Sequence, residues 1–146
     1  MLVNIVILAP IIGSLLLGIL YLARKGLGLS QGFFAFLGMI GPVVSFIAMA
    51  VLFTQSYGSS INLELFSWLD IAGFSIDVGF YLDSLSLVMA LFVAFLGMLI
   101  HLYSIGYMDG DEGFGKFFCY MNLFLASMLI LVLANNPILM FVGWEG

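Results

Sequence analysis

The third apolar run of the chain, residues 84–104, reads SLSLVMALFVAFLGMLIHLYS and contains no Asp, Glu, Lys or Arg. A helix needs about 20 apolar residues to cross a bilayer core about 30 Å thick. Similar runs occupy residues 3–23, 33–53 and 117–134, and a fifth begins at Pro137. We therefore predict an all-α integral membrane protein with four transmembrane helices and the start of a fifth.

The composition agrees with this prediction. Of the 146 residues, 64% are hydrophobic and only 8% are charged, whereas soluble domains carry about 25% charged residues. A folded chain of this size buries only about 70% of its surface, which is too little to hide so much apolar area. Three Lys and Arg residues cannot form the basic patch that a nucleic acid requires. A soluble enzyme, a nucleic-acid binder and a disordered segment are excluded, and the lipid bilayer is the first predicted partner.

The positions of the cations predict the topology. Arg24 and Lys25 follow the first apolar run and Lys116 precedes the fourth, so helices of alternating direction bring both loops to one side. Loops on the cytoplasmic side are enriched in Lys and Arg. We predict a multi-pass protein with its N-terminus outside, in a bacterial inner membrane or, for an organellar protein, the mitochondrial inner membrane.

The long loop on the outer side has the alternation of β-strands. Apolar and polar residues alternate over residues 74–82 and over residues 61–65, with a turn-like stretch at residues 70–73 between them. This pattern predicts a β-hairpin on the membrane surface. Because a lone two-stranded hairpin is marginally stable in water, we expect it to pack on helix ends or on a partner subunit. Residues 1–80 then form one part, and residues 81–146 hold the later helices.

Glu145 is the acidic residue placed within the hydrocarbon. It follows Pro137 by eight residues, or about 12 Å of helix, close to the bilayer midplane. An apolar setting favours the protonated carboxyl group and a nearby cation favours the carboxylate, so we predict a proton-path carboxylate. The alternatives are a structural interhelical hydrogen-bonder and a mobile chain end. A helix of ten residues does not span a bilayer, so we expect a fragment cut inside the fifth helix.

His101 is the only histidine. It lies about 25 Å along the third helix from Ser84, near the predicted cytoplasmic interface. We favour an amphipathic interface residue beside Tyr103 and Tyr107; the alternative is a group through which protons enter the path, since histidine titrates near neutrality. With no second histidine and no cysteine cluster, no metal site is predicted.

Three further residue patterns predict local structure. Asp83 stands where a carboxylate caps the third helix. Asn122, inside the fourth helix, is expected to form a hydrogen bond to another helix. Small side chains at Ala90 and Ala94, with Gly97 nearby, predict a close approach between helices.

The sequence from residue 81 onward resembles a known family. The motifs are YLDSLSL at 81–87, HLYS at 101–104, FFCYMNLFLASM at 117–128, VLANN at 132–136 and GWEG at 143–146. They resemble the L subunit of respiratory complex I, also called chain 5 of NADH:quinone oxidoreductase. The GWEG motif is the most specific, because related antiporter subunits of the Mrp type vary around its tryptophan and glutamate.

The resemblance implies a proton-translocating, antiporter-like subunit of NADH:quinone reductase with many helices and no redox active site of its own. Flavin, iron–sulfur clusters and quinone would then lie in other subunits, and the partners would be other membrane-arm subunits of the complex. The family's proton path uses a glutamate of the fifth helix, which corresponds to Glu145, and a lysine of a later helix. Two alternatives remain: an Mrp-type cation/proton antiporter or membrane-bound hydrogenase subunit, and a structural membrane module without an ion path.

Overall fold

A computed structural model describes residues 2–27, 29–71 and 74–146, without the side chains of residues 24–27, 69–71 and 74–76. Four of its helices are long and apolar enough to cross a membrane, over Leu2–Ala23, Gln31–Ser56, Ser84–Tyr107 and Phe114–Leu133. The predicted all-α membrane fold is therefore confirmed. The elements in chain order are α1 Leu2–Leu27, α2 Gln31–Ser56, β1 Ile61–Ile71, β2 Phe74–Leu82, α3 Ser84–Tyr107, α4 Phe114–Leu133 and α5 Pro137–Glu145.

Polar side chains cap the N-termini of three helices. Asp83 Oδ1 accepts a 2.7 Å hydrogen bond from the Ser86 backbone N–H, and Ser86 Oγ accepts one of 2.9 Å from the Asp83 N–H. This reciprocal pair satisfies two backbone donors at the start of α3 and confirms the predicted cap. Ser30 Oγ caps α2 by accepting from the Phe33 N–H, and Asn136 Oδ1 caps α5 by accepting from the N–H groups of Ile138 and Leu139.

α4 is the central helix of the bundle and contacts α1, α2, α3 and α5. Ala90 and Ala94 of α3 are completely buried, and a Cβ on Gly97 would lie 2.7 Å from Leu125 Cδ1 of α4. Small side chains therefore let α3 approach its neighbours closely, as predicted. The largest apolar cluster lies in the half of the bundle near the hairpin and includes Val3, Leu87 and Leu133.

The predicted hairpin is present as an antiparallel pair of β1 and β2. Phe80 and Leu82 are buried against the helix ends, as expected. β1 continues to Ile71, well beyond the residue 65 predicted. Its register shifts twice, between Glu64 and Phe66 and between Ser67 and Leu69. Each shift interrupts the period-two alternation, and this hid the second half of the strand. Two residues of the predicted turn, 72 and 73, lie outside the described residues.

The two predicted basic loops lie at the end of the bundle opposite the hairpin. Gln31 Nε2 donates a 2.9 Å hydrogen bond to the Asp111 carbonyl, and Gln31 Oε1 accepts one of 3.1 Å from the Gly110 N–H. The first residue of α2 is thus joined directly to the connection between α3 and α4. The ends of α1 and α4 that carry Arg24, Lys25 and Lys116 therefore lie together.

Candidate functional site

A fully buried amide joins four helices. Asn122 of α4 has 0% of its surface exposed, and its Nδ2 donates 3.0 Å hydrogen bonds to the carbonyls of Gly38 and Phe118. Gly38 belongs to α2, so the predicted hydrogen bond from Asn122 to another helix is confirmed. Both hydrogens of the amide nitrogen are directed at carbonyl oxygens, which fixes the orientation of the side chain.

The carbonyl oxygen of this amide, Asn122 Oδ1, lies close to glycine residues of two helices. Asn122 Oδ1 has no hydrogen-bond partner among the described residues. A Cβ would lie 2.9 Å from it at Gly13 and 2.5 Å from it at Gly41. Only glycine at these two positions lets α1 and α2 come so near. The oxygen therefore faces Cα–H groups, which are weak donors.

His101 of α3 completes this group and is also fully buried. Its Nδ1 lies 2.7 Å from the Gly97 carbonyl, which can only accept, so Nδ1 carries a hydrogen. Its Nε2 lies 3.3 Å from Asn122 Nδ2, a nitrogen that cannot accept a hydrogen bond, so an N–H at Nε2 would find no acceptor there. The contacts of both ring nitrogens fit the neutral imidazole.

The prediction that His101 is an interface residue beside Tyr103 and Tyr107 is wrong. Those tyrosines are exposed and stack on each other with ring centroids 6.0 Å apart, whereas His101 faces the bundle. The signal was in the spacing, because positions 90, 94, 97, 101 and 104 recur every three or four residues and share one helix face. The small residues on that face already indicated which side of α3 is packed.

Glu145 lies on α5, away from this group. Gly143 packs on α4, since a Cβ there would lie 2.6 Å from Leu131 N and 2.9 Å from the Ser127 carbonyl oxygen. Glu145 is two residues further along, or about 200° around the helix, and is exposed in the described chain. Its carboxylate is therefore on the face of α5 opposite α4. Its depth is close to that of Ser127, about 9 Å along α4 from Leu133.

The structure does not bring the two candidate residues together. His101 lies about 25 Å, and Glu145 about 12 Å, along helices that both start at the hairpin end. Within the described part of the chain, no hydrogen bond joins them. No three His, Cys, Asp or Glu side chains come together as metal ligands among these residues either.

Comparisons with known proteins agree on one family. A family model described as NADH-ubiquinone oxidoreductase (complex I), chain 5 N-terminus, matches residues 68–118. NADH-quinone oxidoreductase subunit L of Buchnera aphidicola subsp. Acyrthosiphon pisum is 41% identical over 150 aligned positions, covering 97% of this chain and 23% of the relative. Subunit L of Mycobacterium tuberculosis strain CDC 1551 is 41% identical over 115 positions, covering 75% of this chain and 18% of the relative.

The chain is also similar to a relative named chain 5. NADH-ubiquinone oxidoreductase chain 5 of Allomyces macrogynus is 49% identical over 86 positions, covering 59% of this chain and 13% of the relative. The chain spans about a fifth of the length of the curated relatives it matches. The family suggested by the motifs is therefore confirmed, and over nearly all of its length this chain is similar to complex I subunit L, also named chain 5.

Proposed function

We propose that this chain is part of a proton-translocating membrane subunit of an NADH:quinone oxidoreductase. The relatives named NADH-quinone oxidoreductase subunit L support this proposal. In it, other subunits carry flavin, iron–sulfur clusters and quinone, and other membrane-arm subunits are the partners. The whole protein then couples quinone reduction elsewhere in the complex to proton movement through its own helices.

The observation that carries the proposal is the position of Glu145. Glu145 is an acidic residue in one of the described helices. It stands at mid-membrane depth, about 12 Å from the start of α5. A carboxylate at such a depth is costly unless it faces protein or a water path. The side of α5 opposite α4 is therefore where we place the proton path.

The chemistry follows from two opposed effects on one carboxyl group. Hydrocarbon surroundings favour the protonated form, and a neighbouring cation favours the carboxylate. If a cationic side chain on another helix moves toward Glu145, the proton is released; if it moves away, a proton is taken up. By linkage, a conformational change that moves this cation is coupled to the proton occupancy of Glu145.

His101 enters the proposal as a group that takes up protons near the basic end of the bundle. Protonation would place an N–H on Nε2, directly opposite the Asn122 amide nitrogen at 3.3 Å. Two donors then face each other, so the Asn122 amide or the imidazole must turn for the proton to be held. Uptake at His101 therefore requires a local rearrangement between α3 and α4.

The test is Glu145→Gln in the full-length subunit within its complex, reconstituted in proteoliposomes. We expect fewer protons translocated per electron, because glutamine keeps the shape and loses the exchangeable proton. Glu64→Gln, on the exposed hairpin, is the matched control and should leave the ratio unchanged. His101→Gln in the same assay should lower translocation and flatten its pH dependence. An unchanged ratio in Glu145→Gln would contradict the proposal.

A further inference from the structure

A groove between α1 and α4 lies at the end of the bundle that carries the cations. It has a volume of about 380 Å³ and is lined by Gly18, Tyr21 and Leu22 of α1 and by Lys116, Cys119 and Tyr120 of α4. Gly18 has no side chain to occupy the groove, and a Cβ there would lie in contact with Cys119 Sγ, at 3.4 Å. Neither the proton path nor the group around Asn122 uses this groove.

Lys116 places its ammonium group at the opening of the groove. Its Nζ lies 5.6 Å from the centroid of the Tyr120 ring, one helical turn further along α4. It forms no ion pair with a carboxylate of the described residues, although an acidic loop precedes α4. The Tyr120 hydroxyl likewise makes no hydrogen bond within the described part of the chain. The groove therefore offers a positive charge and a hydroxyl donor to a ligand.

An apolar strip continues from this polar mouth toward the middle of the bundle. Leu15, Gly18 and Leu22 follow one another at helical spacing along α1, and Tyr120 and Leu123 do so along α4. The side chains of all these residues except glycine are exposed, namely Leu15, Leu22, Tyr120 and Leu123. A site with a cation at one end and an apolar strip below fits a ligand with an anionic head and a hydrocarbon tail.

The acids of the neighbouring loop do not line this groove. Asp111 and Glu112 line a neighbouring cavity of about 90 Å³, which shares the wall formed by Tyr21 with the groove. The cation and the acids thus belong to different recesses, so an anion at Lys116 is not placed against a carboxylate within the groove. The groove is complementary in charge to a phosphate group.

We propose that this groove binds an anionic phospholipid of the leaflet at the basic end of the bundle. Its phosphate lies against Lys116 and Tyr120, and one acyl chain follows Gly18 and Leu22 toward the bilayer midplane. Basic pockets between helices at this level bind anionic head groups, and tyrosine is favoured at the level of the head groups. This site is independent of the proposed proton path.

Photo-crosslinking in the intact complex tests the proposal. The complex is placed in phosphatidylcholine nanodiscs that contain a trace of a photoreactive lipid with a diazirine on one acyl chain. This trace lipid is phosphatidylglycerol in one sample and phosphatidylcholine in the other. Peptide mass spectrometry measures the amount of lipid adduct on residues 15–22 and 119–123. This amount is divided by the amount of adduct on the exposed face of α3 in the same sample. We expect phosphatidylglycerol to exceed phosphatidylcholine in the groove by about fivefold, the effect of one cation near a membrane surface.

Variants identify the groups responsible. Lys116→Gln should bring phosphatidylglycerol labelling down to the phosphatidylcholine level, Lys116→Arg should retain the preference, and Tyr120→Phe should reduce it in part. Tyr103→Phe is the matched control, since Tyr103 is an exposed tyrosine of α3 that lies near the same basic end of the bundle but outside the groove. The proposal is overturned by equal labelling with the two lipids, by an unchanged preference in Lys116→Gln, or by the absence of groove adducts. Loss of the preference in millimolar inorganic phosphate would assign the site to free phosphate instead.

Discussion

At the scale of single residues, Asn122 and His101 act as a pair. The amide nitrogen of Asn122 uses both hydrogens on carbonyls of α2 and α4, and His101 adds α3 through its 3.3 Å contact. In a membrane, hydrogen bonds between helices contribute about 1 kcal/mol each. Their larger effect here is geometric, because they hold α2, α3 and α4 together at one level.

Asp83 gives a prediction at the same scale. Hydrogen bonding by Ser86, chiefly its backbone N–H, lowers the pKa of Asp83 below its usual value. Because the folded-state pKa is below the unfolded one, the stability from this charged cap is present above about pH 4 and lost as the pH falls through the lower folded value. Thermal unfolding of the wild type in detergent should therefore weaken more between pH 5 and pH 2 than that of Asp83→Asn. Asparagine still caps the helix but does not titrate, so parallel pH profiles of the two proteins would contradict this account.

At the scale of helices, contact with α4 requires glycine on its neighbours. Gly13 of α1 and Gly41 of α2 both face Asn122 of α4, and Gly38 of α2 lies against Phe118, whose Cδ1 would be 2.6 Å from an added Cβ. These positions set the distance between α4 and the first two helices. A methyl group at any of them requires a helix or a buried side chain to move.

Gly41→Ala tests this, with Gly106→Ala as its control. At Gly41 the new methyl carbon would lie 2.5 Å from Asn122 Oδ1 and 3.0 Å from Pro10 Cα, so overpacking should cost about 1–3 kcal/mol of unfolding free energy. At Gly106 nothing lies within 4 Å, and alanine should stabilise α3 by about 0.5–1 kcal/mol. Unfolding of both variants in the same detergent gives the comparison. Equal shifts in the two variants would show that glycine does not set the helix spacing at position 41.

At the scale of the whole molecule, the bundle has two different ends. One end holds the link from Gln31 to the loop before α4. The other holds the hairpin, where Asn136 Nδ2 donates to the Asp77 carbonyl at 2.7 Å and the Asn135 N–H donates to the Gly79 carbonyl at 3.1 Å. The start of α5 is therefore attached to β2. This attachment positions the helix that carries Glu145.

The predicted orientation of these ends can be measured by labelling. In a Cys119→Ser background, which contains no other cysteine, Ser59→Cys marks the hairpin end and Asp109→Cys marks the basic end. Since cytoplasmic loops carry the excess of Lys and Arg, a membrane-impermeant maleimide should label Ser59→Cys in intact bacterial cells. Asp109→Cys should react only after permeabilisation. The reverse pattern would place the N-terminus inside.

Much of this fold could be read from local sequence. The four long helices appear as uncharged apolar runs, and the observed helices extend past those runs where capping and polar residues continue the helix, as at Gln31. The hairpin was visible from alternation only up to residue 65, because the two register shifts in β1 remove the alternation beyond it. The depth of Glu145 follows from counting residues after Pro137, whereas the face of α5 that it occupies depends on the packing of Gly143.

What the sequence by itself determined is the class of protein, the number of spans and the two ends of the bundle. The physical reason is that hydrocarbon selects helices by length and lack of charge, which are local properties. Only the tertiary structure decided that Asn122 meets Gly38, 84 residues away, and that His101 is buried beside it. Helical spacing indicates that a residue lies on a packed face, but the partner across that face depends on how several helices fit together at once.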